Sequence, residues 1–253
     1  MRESKITKSY RGKMNRVKFE DDVNRFVQAL LRSEVGEKIA KVILFGSLVK
    51  DKMEKNSDID ILVVANDGKQ VADRVADVLL DIQMEGCGPI ESITVDIGDI
   101  YFTRDYFLYT VLKYGKEVYS MPEEEIVRLG ARRLMNLSEE YLQSASDAIQ
   151  RGHLRLGLDG AYNSAELAAK GLLLLAGITN LSGSHGGIVQ LFGEKYVKSG
   201  RCKREIGKSL NRALELRNSA RYRYEVSIEK QDAEKVLDLA KKLNNLLSSS
   251  LKK

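Results

Sequence analysis

Strand-like segments are concentrated in the first half of this chain, and that asymmetry limits the folds open to it. KVILF (41–45) is a short apolar, partly β-branched run stopped by Gly46. DIDILVVA (58–65) is a second such run, ended by the turn signal Asn66-Asp67-Gly68. SITVDIG (92–98) and EVYS (117–120) complete the set. Between and around them, apolar residues recur at three and four over 19–32, 69–84 and 104–114, the spacing of amphipathic helices. After Pro122 only helical spacing follows, over 123–151, 156–175, 187–198, 203–220 and 229–251, with one strand-like stretch at 221–226. Pro122 suits a first helical turn, and the three Glu behind it suit the positive end of a helix. The pattern predicts an α+β domain with a small mixed sheet over 19–121, then an all-α bundle over 122–253, both preceded by a basic arm at 1–18.

Charge divides the same way. Residues 1–120 carry 19 Lys/Arg against 20 Asp/Glu, whereas residues 121–253 carry 22 against 16. Ten of those cations lie within 195–223, beside two Glu. Such a stretch attracts phosphates, and it equally suits a solvated helix face. The longest apolar run, near 171–177, falls far short of the roughly 18 residues a bilayer span requires. The basic N-terminus has no apolar core behind it, so no signal peptide is expected. Cys87 and Cys202 stand far apart with no further ligand at metal spacing, which excludes a disulfide scaffold and a zinc finger. A cytoplasmic, reduced protein without a membrane partner is the expectation.

The stretch carrying chemistry is VILFGSLVKDKMEKNSDIDILVV. It holds Gly46-Ser47, ten intervening residues, then Asp58-x-Asp60. A glycine closing a strand lets backbone approach a ligand, and N–H groups with the Ser47 hydroxyl can hold a phosphate. Asp58 and Asp60, two apart at the head of a strand, point to one face. Two carboxylates so close repel unless a cation lies between them, and hard oxygen ligands beside nucleotide phosphates favour Mg²⁺ or Mn²⁺. Asp96 stands in an otherwise apolar strand, where a charge is costly unless paired or metal-bound. It reads either as a third carboxylate converging on the metal or as an edge residue. Three converging carboxylates suit in-line nucleotidyl transfer.

These residues resemble the minimal nucleotidyltransferases of the polymerase-β superfamily, whose signature G-S-x10-D-x-D is met in full by Gly46, Ser47, Asp58 and Asp60. The resemblance implies a nucleoside triphosphate donor, usually ATP, and a divalent metal. It implies that Gly46 and Ser47 hold the leaving phosphates and that Asp58 and Asp60 ligate metal. Asp96 would then ligate metal and help deprotonate the acceptor. Lys50, Lys52 and Lys55 lie in the loop where cations would offset phosphate charge.

The second half resembles a HEPN domain, through AYNSAELAAKGLLLLAG (161–177), SHGGIVQLF (184–192) and LELRNSARYRYE (214–225). Ribonucleases of that family carry R-x4-H-x-Y. Here Arg217 and Tyr224 match, and the histidine is replaced by Tyr222. An unperturbed Tyr titrates near pH 10, so it does not replace the proton exchange of a His. Alternating aromatics at a turn also serve packing. The two histidines present, His153 and His185, lie elsewhere; His185 opens a helix behind a Gly-rich turn, as a packing residue or as part of a pocket.

The sequence thus points to transfer of a nucleoside monophosphate, AMP from ATP by preference, to an acceptor hydroxyl. The helical domain would form the acceptor pocket or a homodimer interface. The acceptor is a small molecule, a protein tyrosine or RNA. The alternative is a fused toxin–antitoxin module, in which the first domain adenylylates Tyr224 and the basic helices bind RNA.

Overall fold

In the computed structural model the described residues are 5–46, 58–101, 105–179, 181 and 183–252, with backbone alone for 5–17. The chain divides into two compact units, Met1–Glu123 and Glu124–Lys253.

The first unit opens with α1 (Lys5–Arg32) and one 3₁₀ turn, followed by β1 (Ile39–Phe45), β2 (Ile59–Ala65) and α2 (Gly68–Met84). It closes with β3 (Ile90–Asp96), α3 (Tyr106–Tyr114) and β4 (Lys116–Ser120). The segment read as a loose basic arm is helical from Lys5 and continuous with the amphipathic helix behind it. No proline interrupts the chain from there to Arg32, so backbone hydrogen bonding propagates through the cationic stretch.

The sheet order is β3-β2-β1-β4. β1 runs antiparallel to both β2 and β4, while β2 and β3 are parallel. That parallel pair is what a helical crossover such as α2 produces. Side chains alternate along β2. Ile59, Ile61, Val63 and Ala65 pack with Phe26 and Leu30 of α1 and with Val71, Val75 and Val78 of α2. Asp60, Leu62 and Val64 fall on the opposite face. This period of two is what lifts Asp60 out of the apolar core.

The second unit is all helical: α4 (Glu123–Gln150), α5 (Leu154–Leu175), α6 (His185–Phe192), a π-helical turn (Gly193–Val197), α7 (Arg204–Tyr222) and α8 (Lys230–Leu251). α5 is its central element, buried along Leu158, Ala161, Tyr162, Ala165, Ala168 and Leu172. Small residues let α8 close on it: a Cβ at Gly171 would stand 2.7 Å from Leu247 Cδ2. Polar side chains inside the bundle bond to one another, as Ser138 Oγ donates to the Ser164 carbonyl at 2.8 Å and Asn244 Nδ2 to Ser164 Oγ at 3.0 Å, while Asn244 Oδ1 is buried without a partner among the described residues.

The strand-like stretch at 221–226 forms no strand. α7 continues through Tyr222, and the chain then turns around the guanidinium of Arg155. That group donates to the carbonyls of Ala220 at 2.7 Å, Arg223 at 3.1 Å and Tyr224 at 3.3 Å, and also to that of Val226. Carbonyls converging on one cation cannot serve a sheet ladder. No helix among the described residues is long and apolar enough to cross a membrane.

Candidate active site

The acid pair is organised by strand register. Phe45, the last residue of β1, pairs with Asp60. The chain leaves β1 through Gly46 at φ +77°, a conformation that L side chains rarely adopt. A Cβ at Gly46 would lie 1.9 Å from Asp60 Oδ2 and 2.9 Å from its Cγ. Only glycine lets the backbone lie against this carboxylate. Asp58 is exposed and Asp60 partly buried, two residues apart on one face of the sheet. Burial raises the Asp60 pKa above its ordinary value, and the neighbouring Asp58 charge raises it further.

A divalent cation suits this arrangement. The donors are hard carboxylate oxygens, and their mutual repulsion is what a bound cation would relieve. Among the described residues no group of three His, Cys, Asp or Glu is preassembled around a single metal position. Ser47, Lys50, Lys52 and Lys55 lie outside the described residues.

Asp96 does not join the pair. β3 runs parallel to β2 with Asp96 opposite Ala65, five residues beyond Asp60, or about 16 Å at the usual strand rise. An odd number of residues also reverses the face, so Asp96 points to the side covered by the helices. There its carboxylate accepts from the Gly68 N–H at 3.2 Å, at the start of α2, and from the Gly98 N–H at 2.9 Å. A negative charge at a helix N-terminus is stabilised by the exposed N–H groups and the helix dipole. These bonds give Asp96 partners at its own strand end and at α2, and the register sets it apart from Asp58 and Asp60.

Glu91, not Asp96, is the acid that strand register sets beside Asp60, although the described carboxylates do not form a group of three around one metal position. Glu91 is the in-register partner of Asp60, on the adjacent parallel strand and on the same face, about 4.8 Å away at the backbone. Reading β3 as beginning at Ser92 left it out of the strand. The available signal was topological: strands joined through a helix run parallel, so an acid near the start of β3 adjoins one near the start of β2.

In the helical unit the motif residues separate into an interior and an exposed set. Arg217 is only 4% exposed. Its Nε donates to Asp159 Oδ1 at 3.1 Å, and its guanidinium lies against the rings of Tyr162 and Tyr222. Arg221 joins the same aspartate at 3.4 Å. Tyr222 and Tyr224 are 68% and 94% exposed, which excludes burial as the reason for either. Ser184 caps α6 by accepting from the Gly187 N–H, and His185 behind it binds Glu166 Oε2 through Nδ1. Burial would raise the Glu166 pKa, but the Lys170 charge and hydrogen bonds from Lys170, His185 and Tyr162 outweigh it and hold the carboxyl below the usual range. His185 is therefore tied to a buried polar network. Arg155, the carbonyl-binding residue, carries no sequence signal because its partners are main chain.

Comparisons with known proteins bear on each unit separately. Residues 27–124 match the family model described as polymerase beta, nucleotidyltransferase, and residues 131–250 match that of the HEPN domain. The first unit is a nucleotidyltransferase domain of the polymerase-β type, and a HEPN domain follows it. Among curated proteins, a UPF0332 protein of Pyrococcus horikoshii is 40% identical over 76 residues, 30% of this chain and 52% of the relative. The chain thus spans about half the length of that relative. A UPF0332 protein of Thermotoga maritima is 27% identical over 128 residues, 48% of this chain and 92% of the relative. Among solved structures, spectinomycin adenyltransferase AAD(9) from Enterococcus faecialis, crystallised with ATP and spectinomycin, covers 90% of this chain and 99% of its own. Its sequence identity is 16% and its TM-score 0.31.

Proposed function

We propose that this chain is a Mg²⁺-dependent nucleotidyltransferase that moves a nucleoside monophosphate, AMP from ATP, to an acceptor hydroxyl. The observation that carries the reading is the Asp60 carboxylate packed against Gly46, with Asp58 beside it on the same face. Asp58 and Asp60 would hold the cation, which when bound supplies charge neutralisation at the α-phosphate. Glu91, the register neighbour of Asp60, would take the acceptor proton. The acceptor oxygen then bonds the α-phosphorus, the bond to the bridging oxygen breaks, and pyrophosphate leaves. Gly46, with Ser47 by resemblance, would hold the departing phosphates. The test is transfer of label from [α-³²P]ATP, with Mg²⁺, to candidate acceptors: small hydroxyl compounds, RNA ends and the chain itself. Asp60→Asn should abolish transfer with an unchanged circular dichroism spectrum. Undiminished transfer by a folded Asp60→Asn protein would refute the assignment.

A second reading, adenylylation of this chain or a second copy within a toxin–antitoxin-like module, is favoured by the presentation of Tyr224. Its ring stands out to solvent while its carbonyl is held by Arg155. Intact mass spectrometry after incubation with Mg²⁺ and ATP would show an AMP adduct that is lost in Tyr224→Phe. RNA engagement by the basic stretch would weaken steeply with salt. The HEPN resemblance further leads us to propose a homodimer, to be measured by light scattering.

A further inference from the structure

α3 carries an exposed surface of unusual composition. Placed at 100° per residue, Tyr109, Lys113, Tyr106, Thr110, Tyr114 and Phe107 follow one another around a single arc, and Leu108 and Val111 occupy the buried side. The four aromatics on the arc are 41 to 82% exposed. Aromatic side chains of this size are ordinarily buried, and a contiguous exposed set marks a binding surface. Lys113 Nζ lies 5.4 Å from the ring centre of Tyr109 and 5.2 Å from that of Tyr114, adding positive charge to the same face.

One end of the arc reaches β1 beside the acid pair. Phe107 meets Phe45 edge to face, with ring centres 5.3 Å apart, and Phe45 is the register partner of Asp60. The strand order fixes which side of the site this is. Glu91 on β3 flanks Asp60 on one side, and Phe45 on β1 flanks it on the other. In an in-line displacement the attacking and leaving oxygens lie on opposite sides of phosphorus. With the acceptor at Glu91, the leaving pyrophosphate of the donor lies toward β1, the strand whose Phe45 meets α3.

We propose that the aromatic face of α3 is the platform on which the nucleobase of the triphosphate donor stacks. The assignment rests on the nucleotidyltransferase reading of Asp58 and Asp60. Base–aromatic stacking engages the π-face that all four bases share, so it is tolerant of base identity. None of the six side chains on the arc is a carboxylate or an amide that would pair with one base edge. The platform itself therefore does not single out ATP: it stacks all four bases, purines ahead of pyrimidines through their larger ring area.

The experiment is titration of the full chain with Mg²⁺ and ATP, GTP, CTP, UTP or inorganic tripolyphosphate, in wild type, Tyr106→Ala, Tyr109→Ala, the double variant and Asp60→Asn. In wild type ATP should bind about 5- to 150-fold more tightly than tripolyphosphate, the range expected of one stacked base. That advantage should collapse in the double alanine variant and survive in Tyr106→Phe, and the four nucleotides should fall within about tenfold of one another. Nucleotide binding that needs Asp60 but is unchanged in the double variant would overturn the platform alone. So would discrimination of more than about 100-fold for one base, since stacking does not supply it. No binding of any nucleotide to wild type would overturn the donor site, and the platform with it.

Discussion

Replacing Gly46 with alanine separates the stability of the site from its chemistry. The added methyl would fall 1.9 Å from Asp60 Oδ2, and heavy atoms do not approach below about 3 Å, so the carboxylate must retreat by roughly 1 Å or more. Alanine at φ +77° also pays about 1–2 kcal/mol for a left-handed conformation. The clashing atoms are the end of a side chain on a partly exposed face, so no core contact need break. The expected loss of stability is about 1–2 kcal/mol, a few degrees in melting temperature for a domain of this size. The catalytic loss should be disproportionate, because a displacement of about 1 Å at the reacting centre costs on the order of 100-fold. Thermal melting by circular dichroism gives the first quantity, and the initial rate of α-label transfer, normalised to folded protein, gives the second. A variant with rate within twofold of wild type would show that Asp60 need not sit against Gly46. One that is unfolded at room temperature would show that the contact is structural.

The two candidates for the third acid separate by variant. Glu91→Gln should reduce transfer by about 10²- to 10⁴-fold, the range for a general base, with little change in melting. Asp96→Asn should leave the rate within a few-fold and destabilise the first unit by about 1 kcal/mol through the weakened cap on α2; the reverse outcome would restore Asp96 to the site. Arg155→Ala strands several carbonyls at once and should cost about 2–4 kcal/mol of stability, read by urea denaturation. Glu166 has a depressed pKa in the folded state, so its contribution is complete above the unfolded value of about 4.3 and is lost as pH falls through the lower folded value. Glu166→Gln should therefore lower melting at pH 7, and the gap to wild type should narrow between about pH 5 and pH 3. A gap that widens on acidification would contradict the depressed pKa.

The sequence by itself determined what is local. The division into an α+β domain and a helical one followed from periods of 2 and 3.6, which are properties of neighbouring residues. The shared face of Asp58 and Asp60 followed from strand alternation. Gly46 was marked by its place at the end of an apolar run, and its need for a positive φ is met within its own backbone. Pairing between distant strands was not legible in this way. Asp96 and Glu91 are both acids in or beside one predicted strand, and alternation alone does not say which end of that strand meets Asp60. The parallel register of β2 and β3, set by the α2 crossover, brought Glu91 to the pair and took Asp96 to the far end and the other face. The turn at 221–226 has the same origin. Its aromatics alternate as in a strand, but its carbonyls are held by Arg155, a residue nearly seventy positions earlier. Periodicity records which side a residue faces, and only tertiary packing decides what it faces, because main-chain pairing across long separations leaves no side-chain signature in the sequence.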